Sequence, residues 1–310
     1  MSLDSAPVLV AGATGRQGGA AARALLAAGV AVRALVRDPA TARARAVAAL
    51  GAELVVGDLH DRDSVTRAAE GARAVFSVQM PGVTAEGFDF DGEVAQGVNL
   101  VEGARAAGVA QFVHTSVSGA GQHVDAPGWA EGRWVSMRGT LGAKSAVQDR
   151  VRAAGFRYWT LLKPGFFMEN FLPSMAFLFP RGLEGGLVSV LRPETRLSLA
   201  AVDDIGGAVA AAVAEPERFT GVELELASDY LSVAEVAEVL SRAVGVPIVA
   251  PEMTEAEAFA AGMPPMGAAH EWLNVVGQPA RPRAARELGV PLTSFEEWAR
   301  AYMVGVGAGR

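Results

Sequence analysis

Three glycines at three-residue spacing, Gly12-Ala-Thr-Gly15-Arg-Gln-Gly18, follow the apolar run Pro7-Val-Leu-Val-Ala11 and open an alanine-rich stretch. Backbone bare of side chains can approach an anion closely. Gly12 permits a tight turn, Gly15 lets amides near a pyrophosphate, and Gly18 lets a helix pack hard against a strand. A helix starting there adds unpaired N–H donors and the positive end of its dipole. The implied chemistry is capture of a dinucleotide's diphosphate, with Thr14, Arg16 and Gln17 of the same turn among its contacts. A glycine-rich loop without a ligand is the alternative, but a strand before and a helix after are the context the ligand reading requires.

Further candidates stand at the ends of the next apolar runs. The second ends Ala34-Leu-Val-Arg37-Asp38. An acid there suits the ribose hydroxyls of NAD, whereas positive charge suits the extra phosphate of NADP. Arg37, with Arg16 closing from the glycine turn, favours NADP, with NAD still possible; the guanidinium fork matches phosphate oxygens. Asp38 serves either a helix cap or the ribose. Asp58 and Leu59, after the third run, are placed to meet the adenine, although Asp58 also suits a helix cap. Gln79-Met80-Pro81, after the fourth, is expected beside the ribose or pyrophosphate.

The elements that must position these residues alternate throughout the first half. Strands are expected at Pro7–Ala11, Val30–Val36, Glu53–Val56, Ala74–Gln79, Gln111–Thr115 and Tyr158–Leu162. Helices are expected at Gln17–Ala28, Ala40–Leu50, Arg62–Ala69, Asp89–Ala107 and Thr140–Ala154. Short strands separated by long helices mean parallel β-α-β units with right-handed crossovers. In the fourth helix Phe90, Val94, Val98 and Val101 form an apolar stripe to lie on the sheet. The stretch from Ser118 to Gly139 has no period, as functional loops often do.

Later, strands are expected at Leu187–Leu191, Arg196–Ala200 and Val222–Leu226, and helices at Val202–Ala214, after Ser232 with Glu235 as a capping box, near Thr254–Ala261 and at Leu292–Tyr302. The tail from Val304 to Arg310 reads as frayed. The fold class is therefore α/β: a Rossmann-type parallel sheet with helices on both faces and a smaller C-terminal α/β substrate region. The organisation expected is 1–160 as the NAD(P)-binding Rossmann domain and 161–310 as a smaller substrate or cap region, interleaved with the sheet.

Composition narrows the chemistry. Among 310 residues there is no cysteine, which excludes disulfides, thiolate catalysis and sulfur-ligated zinc. The four histidines, His60, His114, His123 and His270, lack ligand spacing, so no metal site is expected. His114 reads as a satisfied structural histidine on a core strand. With 27 basic and 34 acidic side chains, the net charge is −7, which disfavours nucleic acid. The basic stretch Arg33, Arg37, Arg43 and Arg45 reads as a phosphate site plus a solvated helix face. The start lacks a basic n-region and no apolar run is long enough to span a membrane, so a cytoplasmic protein without membrane association is expected.

Taken together, Gly12-Ala-Thr-Gly-Arg-Gln-Gly18, Val32-Arg-Ala-Leu-Val-Arg-Asp38, Gly57-Asp58-Leu59, Asn99, Gly108-Val-Ala-Gln-Phe-Val-His-Thr-Ser116, Lys144 and Leu162-Lys-Pro-Gly-Phe-Phe-Met-Glu-Asn170 resemble the NmrA-like group of atypical short-chain dehydrogenases/reductases over nearly the whole chain. The resemblance implies one of two kinds of protein. Some members reduce quinones, enones or related small molecules with NADPH; others bind NADP as redox-sensing regulators without turnover.

Short-chain reductases pair a proton-donating tyrosine with a lysine four residues on, and the lysine holds the nicotinamide ribose. The resemblance puts Lys144 at the lysine position and Thr140 where the tyrosine would stand. The usual serine position falls on Val117, flanked by Ser116 and Ser118, and Ser116 is taken as the candidate. Lys144, Thr140 and Ser116 are thus the catalytic candidates. Pro164, Gly165, Phe166 and Phe167 are expected to flank the nicotinamide, and Trp129, Trp134, Met168 and Phe171 to wall a flat apolar pocket, unless they are simple core. Tyr158 is out of register for the proton donor. Two readings stay open: an NADPH-dependent reductase of a small conjugated substrate, and an NADP(H) sensor whose cofactor state alters affinity for a regulatory protein. An isomerase or epimerase on the same fold is a third, and a homodimer is also compatible.

Overall fold

A computed structural model describes residues 6–85 and 87–304. In chain order its elements are β1 (Val8–Val10), α1 (Arg16–Ala27), β2 (Val32–Val36), α2 (Ala42–Ala49), β3 (Glu53–Val56), α3 (Arg62–Ala69), β4 (Ala74–Ser77), β5 (Gly82–Thr84), β6 (Gly87–Asp89), α4 (Phe90–Ala106), β7 (Gln111–Thr115), α5 (Val135–Ala153) and β8 (Tyr158–Pro164). There follow β9 (Phe166–Phe167), β10 (Arg196–Ala200), α6 (Val202–Ala214), α7 (Pro216–Phe219), β11 (Val222–Leu226), β12 (Asp229–Ser232), α8 (Val233–Val244), α9 (Glu255–Ala260), α10 (His270–Val275), α11 (Pro282–Glu287) and α12 (Phe295–Tyr302). Apart from Val304, the tail expected to fray lies outside the described residues. The chain forms two units: Met1–His123, Arg138–Lys163 and Ile205–Leu224 make the first, and Val124–Met137, Pro164–Asp204 and Glu225–Arg310 the second.

In the first unit seven strands form one sheet in the order β11-β8-β7-β4-β1-β2-β3. From β3 across to β8 every pairing is parallel, with Val10 opposite Ala34 on one side and Phe76 on the other. The chain leaves β1 toward β2 and β3, then crosses back to β4. That reversal puts a topological switch point at the C-terminal edge of β1 and β4, where open α/β sheets bind ligands. Val8, Leu9 and Val10 are wholly buried, as expected of a central strand covered on both faces.

Helix α4 differs from its expected stripe. Its buried residues are Glu93, Gly97, Leu100, Val101, Gly103 and Ala104, while Val94 and Val98 are half-buried. Glycine decides the orientation. A Cβ at Gly97 would stand 2.6 Å from Val147 of α5, and one at Gly103 would stand 2.7 Å from Val65 of α3. Close helix approach on bare backbone outweighs the apolar periodicity of the valines. Helix α5 also starts earlier than expected, at Val135, and absorbs the end of the unperiodic stretch.

The second unit has its own three-stranded sheet, β12-β10-β9, in which β10 pairs antiparallel with β12 and parallel with β9. Its core gathers Phe171, Phe179, Leu240, Phe295 and Trp298. Capping boxes start α8 at Ser232, α9 at Thr254 and α12 at Ser294. The strand expected at Leu187–Leu191 is not formed. Those residues are buried, but side chains satisfy part of their backbone: Ser189 Oγ accepts from Leu191 N–H at 3.2 Å and Asn274 Nδ2 donates to Val190 O at 2.8 Å. A segment so satisfied needs no ladder.

Candidate functional site

The glycine turn leaves β1 at its C-terminal end. Gly12 has φ +65°, a left-handed conformation that favours glycine, and a Cβ there would press on Val78 at 2.7 Å. A Cβ at Gly18 would overlap the Gly12 carbonyl and lie 2.7 Å from Ala11 O, so α1 rests directly on the turn's backbone. Gly15 is the N-cap of α1. No side chain caps it, and the first turn carries no acid. Gly12, Thr14, Gly15 and Arg16 are exposed, Gln17 is half-buried and Gly18 is buried. A diphosphate fits this turn on three counts: exposed backbone at Gly12, Thr14 and Gly15, the positive end of a twelve-residue helix, and no acid in its first turn.

The arginines separate into roles. Arg33 is structural; its guanidinium donates to Ala68 O at 3.0 Å and Glu70 O at 2.7 Å and pairs with Glu53. Arg37 at the end of β2 is exposed, and among the described residues it has no hydrogen-bond or ion-pair partner. Arg43 and Arg45 lie on an exposed face of α2. Asp38 is exposed, and its Oδ1 accepts Ala40 N–H at 2.7 Å in the turn that leads to α2. Asp58 Oδ1 accepts His60 N–H at 2.9 Å, while the cap of α3 is Asp61. The Leu59 carbonyl takes the Asn99 amide at 2.9 Å, which pins the loop expected to meet the adenine.

Around the ends of β4 and β7 lies a buried polar cluster. Lys144 Nζ donates to Gln79 O at 2.9 Å and pairs with Glu93 Oε1 at 2.5 Å. Gln79 Nε2 donates to Ser77 Oγ at 3.0 Å, and Ser77 Oγ meets His114 Nδ1 at 3.0 Å. His114 is only half satisfied: its Nε2 is buried without a partner. Burial first, and the nearby Lys144 charge second, lower its pKa to about 3, so the ring is neutral. Thr115 Oγ1 donates to Gln17 Oε1 at 2.8 Å, tying the end of β7 to the first turn of α1.

The catalytic candidates are unevenly placed. Lys144 opens onto the switch-point edge, since Val78, which touches Gly12, immediately precedes Gln79. Thr140 is half-buried on α5, one turn before Lys144, and its hydroxyl makes no hydrogen bond among the described residues. Ser116 Oγ accepts from Gln148 Nε2 at 2.7 Å inside the protein, a structural bond. Tyr158 sits at the opposite end of β8 and donates to Glu217 at 2.7 Å. Met80 is 65% exposed, beside the buried Gln79.

Pro164 and Phe167 belong to the second unit, where Pro164 is buried and Phe167 pairs with Ala200. Met168 and Phe171 are wholly buried there as core. Trp129 and Trp134 both pack edge-on to Trp272, at 5.9 and 5.2 Å between ring centroids, and Trp134 Nε1 donates to Pro127 O. Both tryptophans therefore anchor the loop that carries them. In the same unit Glu169 caps α6 through Val202 N–H, and burial raises its pKa.

Glu93 lies beside the stripe of Phe90, Val94, Val98 and Val101 and is not part of it, so the apolar periodicity does not single it out. The spacing Glu93, Gly97, Leu100, Val101 and Ala104 carries the true inner row, and a carboxylate within it is the signal.

Residues 4–278 match the NmrA-like family. The chain belongs to that family. A relative, the NAD(P)H azoreductase of Xenophilus azovorans, is 29% identical over 97% of this chain and 99% of its own length. The NADPH-dependent quinone oxidoreductase QOR2 of Escherichia coli, solved with NADPH, shares the fold at TM-score 0.76 and 23% identity, covering 96% of this chain and 99% of that one. NmrA, a negative transcriptional regulator solved with NADP, shares it at TM-score 0.72 and 21% identity over 96% and 95% of the two chains. No helix among the described residues is long and apolar enough to cross a membrane.

The neutral His114 makes stability pH-dependent. Its value falls from 6.5 to about 3 on folding, so below pH 6.5 the unfolded chain takes up a proton that the folded protein refuses. Stability therefore drops as pH falls through this window, by about 1.4 kcal/mol per unit, and levels off below it. Between pH 6.5 and 5, urea unfolding of His114→Gln is expected to lose about 2 kcal/mol less than the parent protein. Parallel losses would contradict the assignment.

Proposed function

We propose that this protein binds NADP(H) at the glycine turn and uses it to reduce a small conjugated acceptor of the quinone, enone or azo type. The carrying observation is the uncapped start of α1 at the sheet's switch point, with unpartnered Arg37 at the neighbouring strand end. In this reading the backbone of the Gly12–Gly18 turn at the start of α1 holds the diphosphate and Arg37, with Arg16, holds the 2′-phosphate. Asp58 and Leu59 border the adenine, Gln79 and Met80 border the nicotinamide half, and Lys144 holds the nicotinamide ribose. The azoreductase and the quinone oxidoreductase support the substrate class, and both names specify a reduced nicotinamide cofactor.

When bound, the cofactor supplies a hydride. The chain's own contribution is binding and orientation. No phenol stands one turn before Lys144, and a neutral aliphatic hydroxyl such as Thr140 is a poor proton donor. Conjugated acceptors suit such a site because their reduced anions draw the proton from water. Lys144 supplies the fixed positive charge that stabilises negative charge developing nearby.

The same gap favours a second reading, a sensor that binds NADP(H) and turns nothing over, as the likeness to NmrA suggests. NADPH absorbance followed with a panel of quinones, enones and azo compounds separates the two. The enzyme reading expects oxidation with at least one acceptor; tight NADPH binding with none oxidised would establish the sensor. For the cofactor, Arg37→Ala is expected to weaken NADPH about 10- to 100-fold and leave NADH unchanged, the loss of one charge-assisted phosphate contact. Equal loss for both cofactors would remove Arg37 from the phosphate site.

A further inference from the structure

The geometry points to Glu93 as a positioning residue that holds the Lys144 ammonium in place for the nicotinamide half of the cofactor. The inference rests on the NADP(H) reading above. Glu93 lies in α4, 1% exposed, with its side chain against Lys144. Its only ion-pair partner among the described residues is Lys144, and both carboxylate oxygens are buried without a hydrogen bond. A buried carboxylate so poorly supplied with donors is costly, and packed apolar side chains in place of a buried pair are often as stable or more so. Fold stability alone therefore gives weak reason for an acid here.

What the pair does achieve is geometric. An ammonium has three N–H donors. One goes to Gln79 O at 2.9 Å, while Glu93 Oε1 stands 2.5 Å from the nitrogen as an ion pair without hydrogen-bond geometry. Those two contacts come from different elements, the end of β4 and the first turn of α4, and restrict the direction of a long, otherwise mobile side chain. N–H donors remain for a ligand, on a side chain still 13% exposed. His114, which feels the Lys144 charge, is neutral and competes for neither role. Gln79 follows Val78, which abuts Gly12, so the fixed ammonium lies on the edge where the dinucleotide is placed. Glu93 touches no ligand itself; it acts through Lys144.

The test uses two ligands and two backgrounds on the full chain. NADPH spans both halves of the site, whereas 2′,5′-ADP carries only the adenine half with its phosphates. Titration calorimetry of Glu93→Gln is expected to show NADPH weakened about tenfold with 2′,5′-ADP unchanged. In a Lys144→Met background, adding Glu93→Gln is expected to change neither affinity further, because non-additivity marks residues acting through one another. Unchanged NADPH affinity in Glu93→Gln, equal weakening of both ligands, or full additivity with Lys144→Met would each overturn the proposal. A parent protein that binds neither ligand would instead overturn the dinucleotide reading beneath it.

Discussion

A helix cannot bond its first N–H groups to itself, and in α1 the N-cap, Gly15, has no side chain to do it. That unmet demand organises the first unit. The turn before the helix is glycine because α1 must rest on the turn's own carbonyls, and because Gly12 needs a left-handed backbone angle. The central strand before it is wholly buried and pairs on both sides, which fixes where the open amides point. Other helices in this chain begin on Asp61, Ser232, Thr254 and Ser294, whose side chains accept the first amides. A glycine at this N-cap forgoes only roughly a few tenths of a kcal/mol of helix stability. A bound anion would recover it.

The polar cluster beside this mouth has a matching logic. Low dielectric makes each buried bond count, and an unpaired group costly. Ser77, Gln79, His114 and Lys144 form a continuous set of bonds along the ends of β4 and β7. Keeping His114 neutral leaves Lys144 and Glu93 as the charged pair of the cluster. The cost of that arrangement falls on acid stability, where the neutral imidazole resists protonation.

Much of this was readable from residue order. Strand–glycine–helix punctuation located α1 and the switch-point strands, and α6, Val202–Ala214, was placed to the residue. Capping boxes marked α8 and, through Ser232 and Glu235, its first turn. What escaped reading was decided by tertiary contacts. The inner face of α4 follows from Gly97 and Gly103, which carry no hydrophobic signal, so nothing in the periodicity pointed to Glu93. Leu187–Leu191 has strand composition, yet Ser189 and Asn274 satisfy its backbone and remove the need for a partner strand. Aromatic residues from Phe166 to Phe171 look alike as pocket wall or core; burial makes Met168 and Phe171 core. Ser116 had the right residue type but spends its hydroxyl on Gln148.

The decisive measurement puts a protein carboxylate in the place proposed for the diphosphate. Gly15 has φ −98° and ψ −175°, extended geometry open to an N-cap aspartate, whose Cβ would stand 3.2 Å from Gly12 O. In Gly15→Asp the new carboxylate would cap the first turn of α1 and put negative charge where the diphosphate belongs. NADPH titrated into this variant should show no binding at concentrations that saturate the parent protein, while thermal unfolding stays cooperative. Parent-like NADPH affinity in a folded Gly15→Asp protein would contradict the account, because the diphosphate would then be held somewhere other than the start of α1.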